Sequence, residues 1–176
     1  MTDRYYITTP IYYVNDKPHI GHAYTSVATD FIARFMRLND YDVRFQTGTD
    51  EHGLKIQKAA ESKGKEPLEL CDENSRIFRD LTTTLDLSND DFIRTTEQRH
   101  IDGASFLWNR LHERNQIYLG EYTGWYSIND ETFYNEKDLV KQSDGSFKTV
   151  TGGPVEWITE KSYFFKLSEW SDKLLD

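Results

Sequence analysis

The stretch PIYYVNDKPHIGHAY, residues 10–24, decides the fold of this chain. It follows YYITT, residues 5–9, a run of aromatic and β-branched residues that is typical of a buried strand. Asn15 and Pro18 are turn residues, and apolar residues then recur with the helical period for about four turns. The stretch therefore predicts a strand, a turn and the start of a helix.

Two histidines, His19 and His22, fall on one face of the first turn of that helix, with Gly21 between them. A helix N-terminus carries unpaired N–H groups and a partial positive charge, so it attracts anions such as phosphate. Imidazoles there donate hydrogen bonds to phosphate oxygens, and glycine lets a ligand approach the backbone. The alternative is a polar cluster at the helix start that binds no ligand.

Strands and helices alternate up to about residue 115, which predicts a parallel sheet with right-handed crossovers and an α/β fold. After the first strand and helix, the periodicity predicts further strands at 43–47 and 91–95 and helices near 54–60, 67–85 and 98–111. Pro67 suits a first helical turn, and Thr95 and Gln98 have the spacing of a capping box. Ile101, Leu107 and Leu111 are expected to face inward.

The pattern changes near residue 115, where short strand-like runs alternate with turn residues such as Asp144-Gly145. This predicts a small antiparallel module of hairpins. The expected organisation is a first region at 1–115, a β insertion at 116–167 and the start of a helix at 168–176, with Ser168 as its N-cap.

Five blocks of sequence resemble the methionyl-tRNA synthetases, a group of the class I aminoacyl-tRNA synthetases. The HIGH tetrapeptide, residues 19–22, is the class I signature, and the preceding TTPIYYVNDKP narrows the resemblance to the methionine group. The other blocks follow in order and cover nearly the whole chain: FQTGTDEHG at 45–53, RTTEQRH at 94–100, GWYSINDETFY at 124–134 and SYFFKLS at 162–168.

The resemblance implies the first half of a Rossmann-like nucleotide-binding domain, interrupted by a connective-peptide insertion. Many members of the family hold zinc with paired cysteines in that insertion, but here it has no cysteine, so no zinc is expected. The second half, with its KMSKS loop, and the anticodon-binding domain would lie beyond Asp176. We therefore expect the isolated chain to be inactive, to expose a strand edge and apolar surface around Phe31 and Phe45, and to self-associate.

The resemblance also implies a function, methionine–tRNA ligase, with methionine, ATP carrying Mg, and tRNA(Met) as substrates. Two rivals stay open: a non-catalytic module that binds a nucleotide or partner, or another class I synthetase or nucleotidyltransferase. The implied site residues are His19 and His22 for catalysis, Asn15, His19, Gly21 and His22 for ATP, and Ile11, Tyr13 and Asp50 for methionine.

Asp50 has a second interpretation. In the family the matching aspartate binds the methionine ammonium group, and a carboxylate at the carboxyl end of a parallel strand is well placed for a cation. Without the resemblance, the sequence favours Asp50 or Thr49 as an N-cap for the helix that follows.

Composition bounds the class of protein. The chain has 176 residues and a net charge of −9, which on its face argues against nucleic acid, although local patches can still bind it. One cysteine, Cys71, excludes an intramolecular disulfide framework and is expected in the core. No apolar run is long enough for a bilayer and the N-terminus lacks a signal core, so we expect a cytoplasmic protein without a membrane partner.

An aromatic set occupies the predicted insertion: Trp125, Tyr126, Phe133 and Trp157. Such side chains can stack on single-stranded nucleic acid, as the family uses this region near the tRNA acceptor end. The favoured alternative is a small core for a β module without zinc.

Overall fold

The computed structural model describes residues 2–175, in two compact units: residues up to Ala104 and residues from Ser105 onward. The division falls within the helix Gln98–Glu113, whereas the boundary proposed near residue 115 follows the change from helix to hairpin. The helices are α1 (Ile20–Leu38), α2 (Leu54–Ser62), α3 (Pro67–Thr84), α4 (Gln98–Glu113) and α5 (Ser171–Leu175). The strands are β1 (Arg4–Thr8), β2 (Tyr12–Tyr13), β3 (Asp42–Asp50), β4 (Asp91–Arg94), β5 (Ile117–Ser127), β6 (Thr132–Tyr134), β7 (Val140–Lys141), β8 (Phe147–Lys148) and β9 (Glu156–Phe165).

The first unit is built on a parallel sheet with β3 at its centre. Strands β1 and β2 follow one another along one edge of β3, and β4 lies along the other. The register places Tyr13 opposite Asp50 and Arg94 opposite Thr49. The carboxyl ends of the strands therefore meet at one edge of the sheet, as the predicted α/β fold requires.

Helix α1 begins where the sequence predicts, and the face that it turns to the protein is not the apolar one. Its buried residues are small or polar: Ser26, Thr29, Asp30 and Ala33. Small side chains let a helix approach closely, and Asp30 is satisfied by the Ser88 N–H at 2.6 Å and by Arg34 Nε at 2.7 Å. The large apolar residues form an exposed stripe instead: Ile20, Tyr24, Val27, Phe31, Phe35 and Leu38.

The core of the first unit lies where α3 meets the strands. Pro67 stands in the first turn of α3, as predicted. Cys71 is buried as expected, and its Sγ–H donates to the Glu51 carbonyl oxygen at 3.6 Å. Burial raises the pKa of the Cys71 thiol to about 11. The buried apolar cluster comprises Tyr12, Val14, Ile56, Cys71, Phe78 and Phe92.

Two predictions about burial are wrong. Phe45 is fully buried because it lies on the central strand, although Phe31 is exposed as expected. Helix α4 buries no residue; Ile101 and Leu107, which were expected to face inward, are 42% and 56% exposed. The predicted capping box does not hold α4 either: the Thr95 hydroxyl accepts the Glu51 N–H and the Gln98 amide donates to Asp102.

The second unit contains an antiparallel ribbon of β5 and β9, paired from Ile117–Phe165 to Tyr126–Glu156. Strand β6 adds to β5, and β7 pairs with β8 in a separate hairpin. This agrees with the predicted module of hairpins. Within residues 2–175, no helix combines the length and apolar character needed to cross a bilayer.

Candidate active site

The two histidines at the start of α1 form a reciprocal cap. His19 is the N-cap residue, and its Nδ1 accepts the Gly21 N–H at 3.1 Å. The Nδ1 of His22 accepts the His19 N–H at 3.0 Å. A neutral imidazole that accepts at Nδ1 carries its proton on Nε2. The cap therefore leaves each ring with an Nε2–H donor that is not used by the backbone bond.

The surroundings of His22 favour its neutral form. Its ring lies 3.8 Å from that of His19, centroid to centroid, and meets Tyr12 at 4.8 Å and Phe78 at 5.1 Å edge-on. Burial and the charge of a protonated His19 lower the pKa of His22 below its ordinary 6.5. The Tyr12 hydroxyl and Ser26 Oγ lie 2.9 Å apart, which fixes the aromatic support of the ring.

Gly21 is required by the cap itself. A Cβ at this position would lie 2.9 Å from His19 Cε1 and 3.1 Å from His19 Nδ1. Both distances are shorter than ordinary van der Waals contact, so any side chain would displace the His19 ring. The part in ATP binding that the resemblance implies for Gly21 stays a prediction.

A concavity of about 370 Å³ opens beside these histidines. Five of the seven predicted site residues line it: Ile11, Tyr13, Asn15, His19 and His22. Pro10, Tyr12, Asp16 and Lys17 complete the wall. Lys17 was not singled out, although a lysine in the turn before an anion-attracting helix start is a signal for it. Ile11 and Tyr13 are exposed whereas Tyr12 is buried, so the alternation of the strand turns the two predicted methionine contacts outward.

Asp50 ends β3 directly opposite Tyr13 and is not a helix cap. The N-cap of α2 is Gly53, which has φ 109° and no side-chain cap bond. The Asp50 carboxylate accepts the His52 N–H at 3.5 Å, and Thr49 donates its hydroxyl to Glu51 at 2.7 Å. The capping interpretation of Asp50 and Thr49 is therefore wrong.

Next to Asp50 lies a buried ion pair that the sequence did not indicate. Arg94 donates to Glu51 through Nε at 2.8 Å and through Nη2 at 2.9 Å. Burial alone would raise the pKa of Glu51, but the hydrogen bonds from Arg94, Thr96 and Thr49 outweigh it and hold the pKa below its ordinary value. Glu51 is therefore ionised at neutral pH, deep in the protein.

The aromatic residues of the second unit pack on one another. Trp125 meets Trp157 at 5.2 Å and Phe147 at 4.8 Å, and Tyr126 meets Phe133 at 5.0 Å. These contacts support the interpretation as a small core. Among the residues described, no three His, Cys, Asp or Glu side chains come together as a metal site.

Residues 5–176 match the family described as tRNA synthetases class I (M). The chain therefore belongs to the class I tRNA synthetases, as its motifs indicated. It shares an α/β architecture and the HIGH signature with that class.

Within this class, the similar curated proteins are methionine–tRNA ligases. The chain is 57% identical over 176 residues to the one of Rickettsia conorii and 56% identical to that of Rickettsia felis. Mycobacterium tuberculosis methionyl-tRNA synthetase in complex with methionyl-adenylate is 49% identical, with a TM-score of 0.88 over 99% of this chain. The chain spans about a third of each of these proteins, 34% of their lengths. The predicted resemblance to the methionine group is confirmed.

Proposed function

We propose that this chain is part of a methionine–tRNA ligase, which activates methionine with ATP and transfers it to tRNA(Met). The observation that supports this most directly is the likeness, over 99% of the chain, to the methionyl-adenylate complex of the M. tuberculosis enzyme. The site geometry supports it independently, because the two histidines line one concavity with Tyr13, and Asp50 stands opposite Tyr13 on the neighbouring strand.

The triphosphate of ATP is assigned to the start of α1. The Nε2–H groups of His19 and His22 donate to phosphate oxygens, and the positive end of the helix adds attraction. Asn15 and Gly21 belong to the same ATP-binding set, Asn15 through its amide and Gly21 through the room it leaves. Because both rings are held by backbone bonds, these donors are oriented before ATP arrives.

Methionine is assigned to the carboxyl end of the sheet. The Asp50 carboxylate binds its ammonium group, and Tyr13, which stands opposite Asp50, contacts the side chain together with Ile11. This arrangement leaves the methionine carboxylate free to reach ATP.

The reaction needs positioning and charge stabilisation rather than a covalent protein nucleophile. A carboxylate oxygen of methionine attacks the α-phosphorus, the bond to the β-phosphate oxygen breaks, and pyrophosphate leaves with its electron pair. The two histidines stabilise the charge that develops on the phosphate oxygens. A terminal hydroxyl of tRNA then attacks the methionyl carbonyl and AMP departs.

The remaining assignments follow the same proposal. ATP acts with Mg as a substrate, no zinc takes part, and the reaction takes place in the cytoplasm, where tRNA serves translation. Residues 116–167 form the connective insertion between two halves of the nucleotide-binding domain, with 1–115 as the first half.

The test is methionine-dependent exchange of pyrophosphate into ATP by the full-length gene product. We expect exchange with methionine and none with leucine, and none from the 176-residue chain by itself. Exchange with another amino acid favours a different class I synthetase. ATP binding without exchange by the full-length protein favours the non-catalytic module.

A further inference from the structure

We propose that Glu51 and Arg94 are positioning residues that hold Asp50 in place for the ammonium group of methionine. This rests on the proposed function, because it assigns a task to Asp50 in that reaction. The inference comes from the hydrogen bonds that join the ends of β3 and β4.

The ion pair is buried and bidentate. The Glu51 side chain is fully inaccessible, and that of Arg94 is 20% exposed. Two parallel N–H donors from one guanidinium group to one carboxylate fix the relative orientation of both groups. A single contact or a lysine ammonium group would not fix it.

The remaining acceptor sites of Glu51 are also used. The Thr96 hydroxyl donates to Glu51 Oε2 at 2.5 Å, and the Thr49 hydroxyl donates to Oε1 at 2.7 Å. Arg94 Nη2, which donates to Glu51, also donates to Asp72 Oδ1 at 2.6 Å. Both partners therefore have little freedom to move.

The backbone is fastened at the same place. The Glu51 N–H donates to the Thr95 hydroxyl at 2.9 Å, and His52 Nε2–H donates to the Thr95 carbonyl oxygen at 3.3 Å. Residues 51 and 52 are thus joined to residues 94–96 by side-chain and backbone contacts. We call this set of contacts the Glu51–Arg94 latch.

Asp50 depends on the latch because it has little support of its own. The bond described for its carboxylate, to the His52 N–H, is 3.5 Å long. Glu51 directly follows Asp50, the last residue of β3, so the latch acts on Asp50 through the peptide that they share. A shift of the peptide at residue 51 moves the Asp50 carboxylate directly.

The test compares lysine substitutions at two arginines of the full-length protein, each of which pairs with a carboxylate through two hydrogen bonds. Arg94→Lys keeps the charge and removes the bidentate geometry. Arg99→Lys is the matched control, because Arg99 pairs with Asp91 at 2.7 and 3.0 Å at the other end of β4. Michaelis constants for methionine and for ATP are measured by pyrophosphate exchange, with thermal unfolding to verify the fold.

We expect Arg94→Lys to raise the KM for methionine by roughly tenfold or more, since small displacements of a binding group are costly. The KM for ATP should stay within about twofold of the value for the unsubstituted protein. Arg99→Lys should change neither KM by more than about twofold. Glu51→Gln, which keeps the shape of the side chain, should act in the same direction. Glu51→Gln takes the place of Arg94→Lys as the test variant if Arg94→Lys does not fold.

The double variant separates positioning from general damage. If Arg94 acts through Asp50, Asp50→Asn with Arg94→Lys should have a KM for methionine within about twofold of Asp50→Asn alone. Three results would overturn the positioning role while leaving the proposed function intact. They are additive effects of the two substitutions on the KM for methionine, equal rises of the KM values for ATP and methionine, and equal effects of Arg94→Lys and Arg99→Lys. An unchanged KM for methionine in Asp50→Asn would instead contradict the assignment of Asp50 within the proposed function.

Discussion

The Nδ1 of His22 accepts the backbone N–H of His19, so the second histidine holds the residue that caps its own helix. In most capping boxes a glutamate or glutamine fills this position. An imidazole in its place makes the cap sensitive to protonation, because the protonated ring has no acceptor at Nδ1.

The first prediction follows from that sensitivity. The pKa of His22 is lowered in the folded protein, so the unfolded chain takes up the proton more readily. The contribution of His22 to stability should be complete above pH 6.5, its ordinary pKa, and should decline as the pH falls through the lowered folded value. The protection factor of the His19 N–H in the full-length protein, which is the measured hydrogen-exchange rate divided into the intrinsic rate at the same pH, should fall over this range.

His22→Asn is the control for this effect, because the Asn side-chain oxygen can accept the same N–H and does not titrate. In that variant, the protection factor of the His19 N–H, whose acceptor no longer titrates, should show a smaller step than in the parent protein. A step of equal size in both proteins would mean that His22 is not the titrating group.

The second prediction concerns the rate. In the full-length protein, His19→Ala or His22→Ala should reduce methionine activation by roughly 10²–10³-fold, as expected for loss of one aligned donor. Binding of methionine, measured by calorimetry without ATP, should change little. Less than tenfold loss at both positions, with the fold intact, would contradict the phosphate role.

The third prediction concerns Gly48 in the central strand. A Cβ there would meet the Ile93 carbonyl oxygen, and would lie 2.6 Å from Ile93 Cγ2 on the neighbouring strand. Gly48→Ala should therefore destabilise the protein by about 1–3 kcal/mol, measured by urea unfolding. Gly103→Ala is the control: the position is helical with no atom within 4 Å, so it should be neutral or slightly stabilising. Equal effects would argue against the close approach of β3 and β4.

The fourth prediction concerns self-association of the 176-residue chain. The exposed stripe of α1 includes Phe31 at 70% and Phe35 at 54% exposure, and contiguous apolar surface of this kind promotes association. Sedimentation should detect concentration-dependent association that Phe31→Lys weakens. Val150→Lys, at an isolated exposed residue of the second unit, should leave it unchanged. A monodisperse monomer at high concentration would contradict this prediction.

Local patterns were sufficient to predict the helices and the longer strands of the first unit, but not the short strand β2. The helical period, Pro67 and the strand-ending Pro10 act within a few residues of the structures they specify. The face of α1 that is buried was harder to predict, because amphipathicity identifies an apolar side without indicating whether another element covers it. Ser26 and Ala33, which pack inward, carry no apolar signal strong enough to compete.

The residues of the candidate site also differ in how far they could be predicted from local sequence. His19, His22, Asn15, Ile11 and Tyr13 lie within twelve residues of one another and line one concavity, so a motif could predict them together. Glu51 and Arg94 are 43 positions apart, and their pairing depends on the parallel register of β3 and β4. No local pattern contains that register.

The chemical reactivity of Cys71 reports on the opening of the Glu51–Arg94 latch. Its thiol donates to the Glu51 carbonyl oxygen and belongs to a residue that is 1% exposed, so alkylating reagents cannot reach it in the folded protein. Its pKa of about 11 also keeps the reactive thiolate scarce. It is the single cysteine of these 176 residues, so within them modification has one possible site. The rate at which the Cys71 thiol is modified therefore measures how often this part of the protein opens. A slower rate with methionine than without it would show that the ligand reduces this opening.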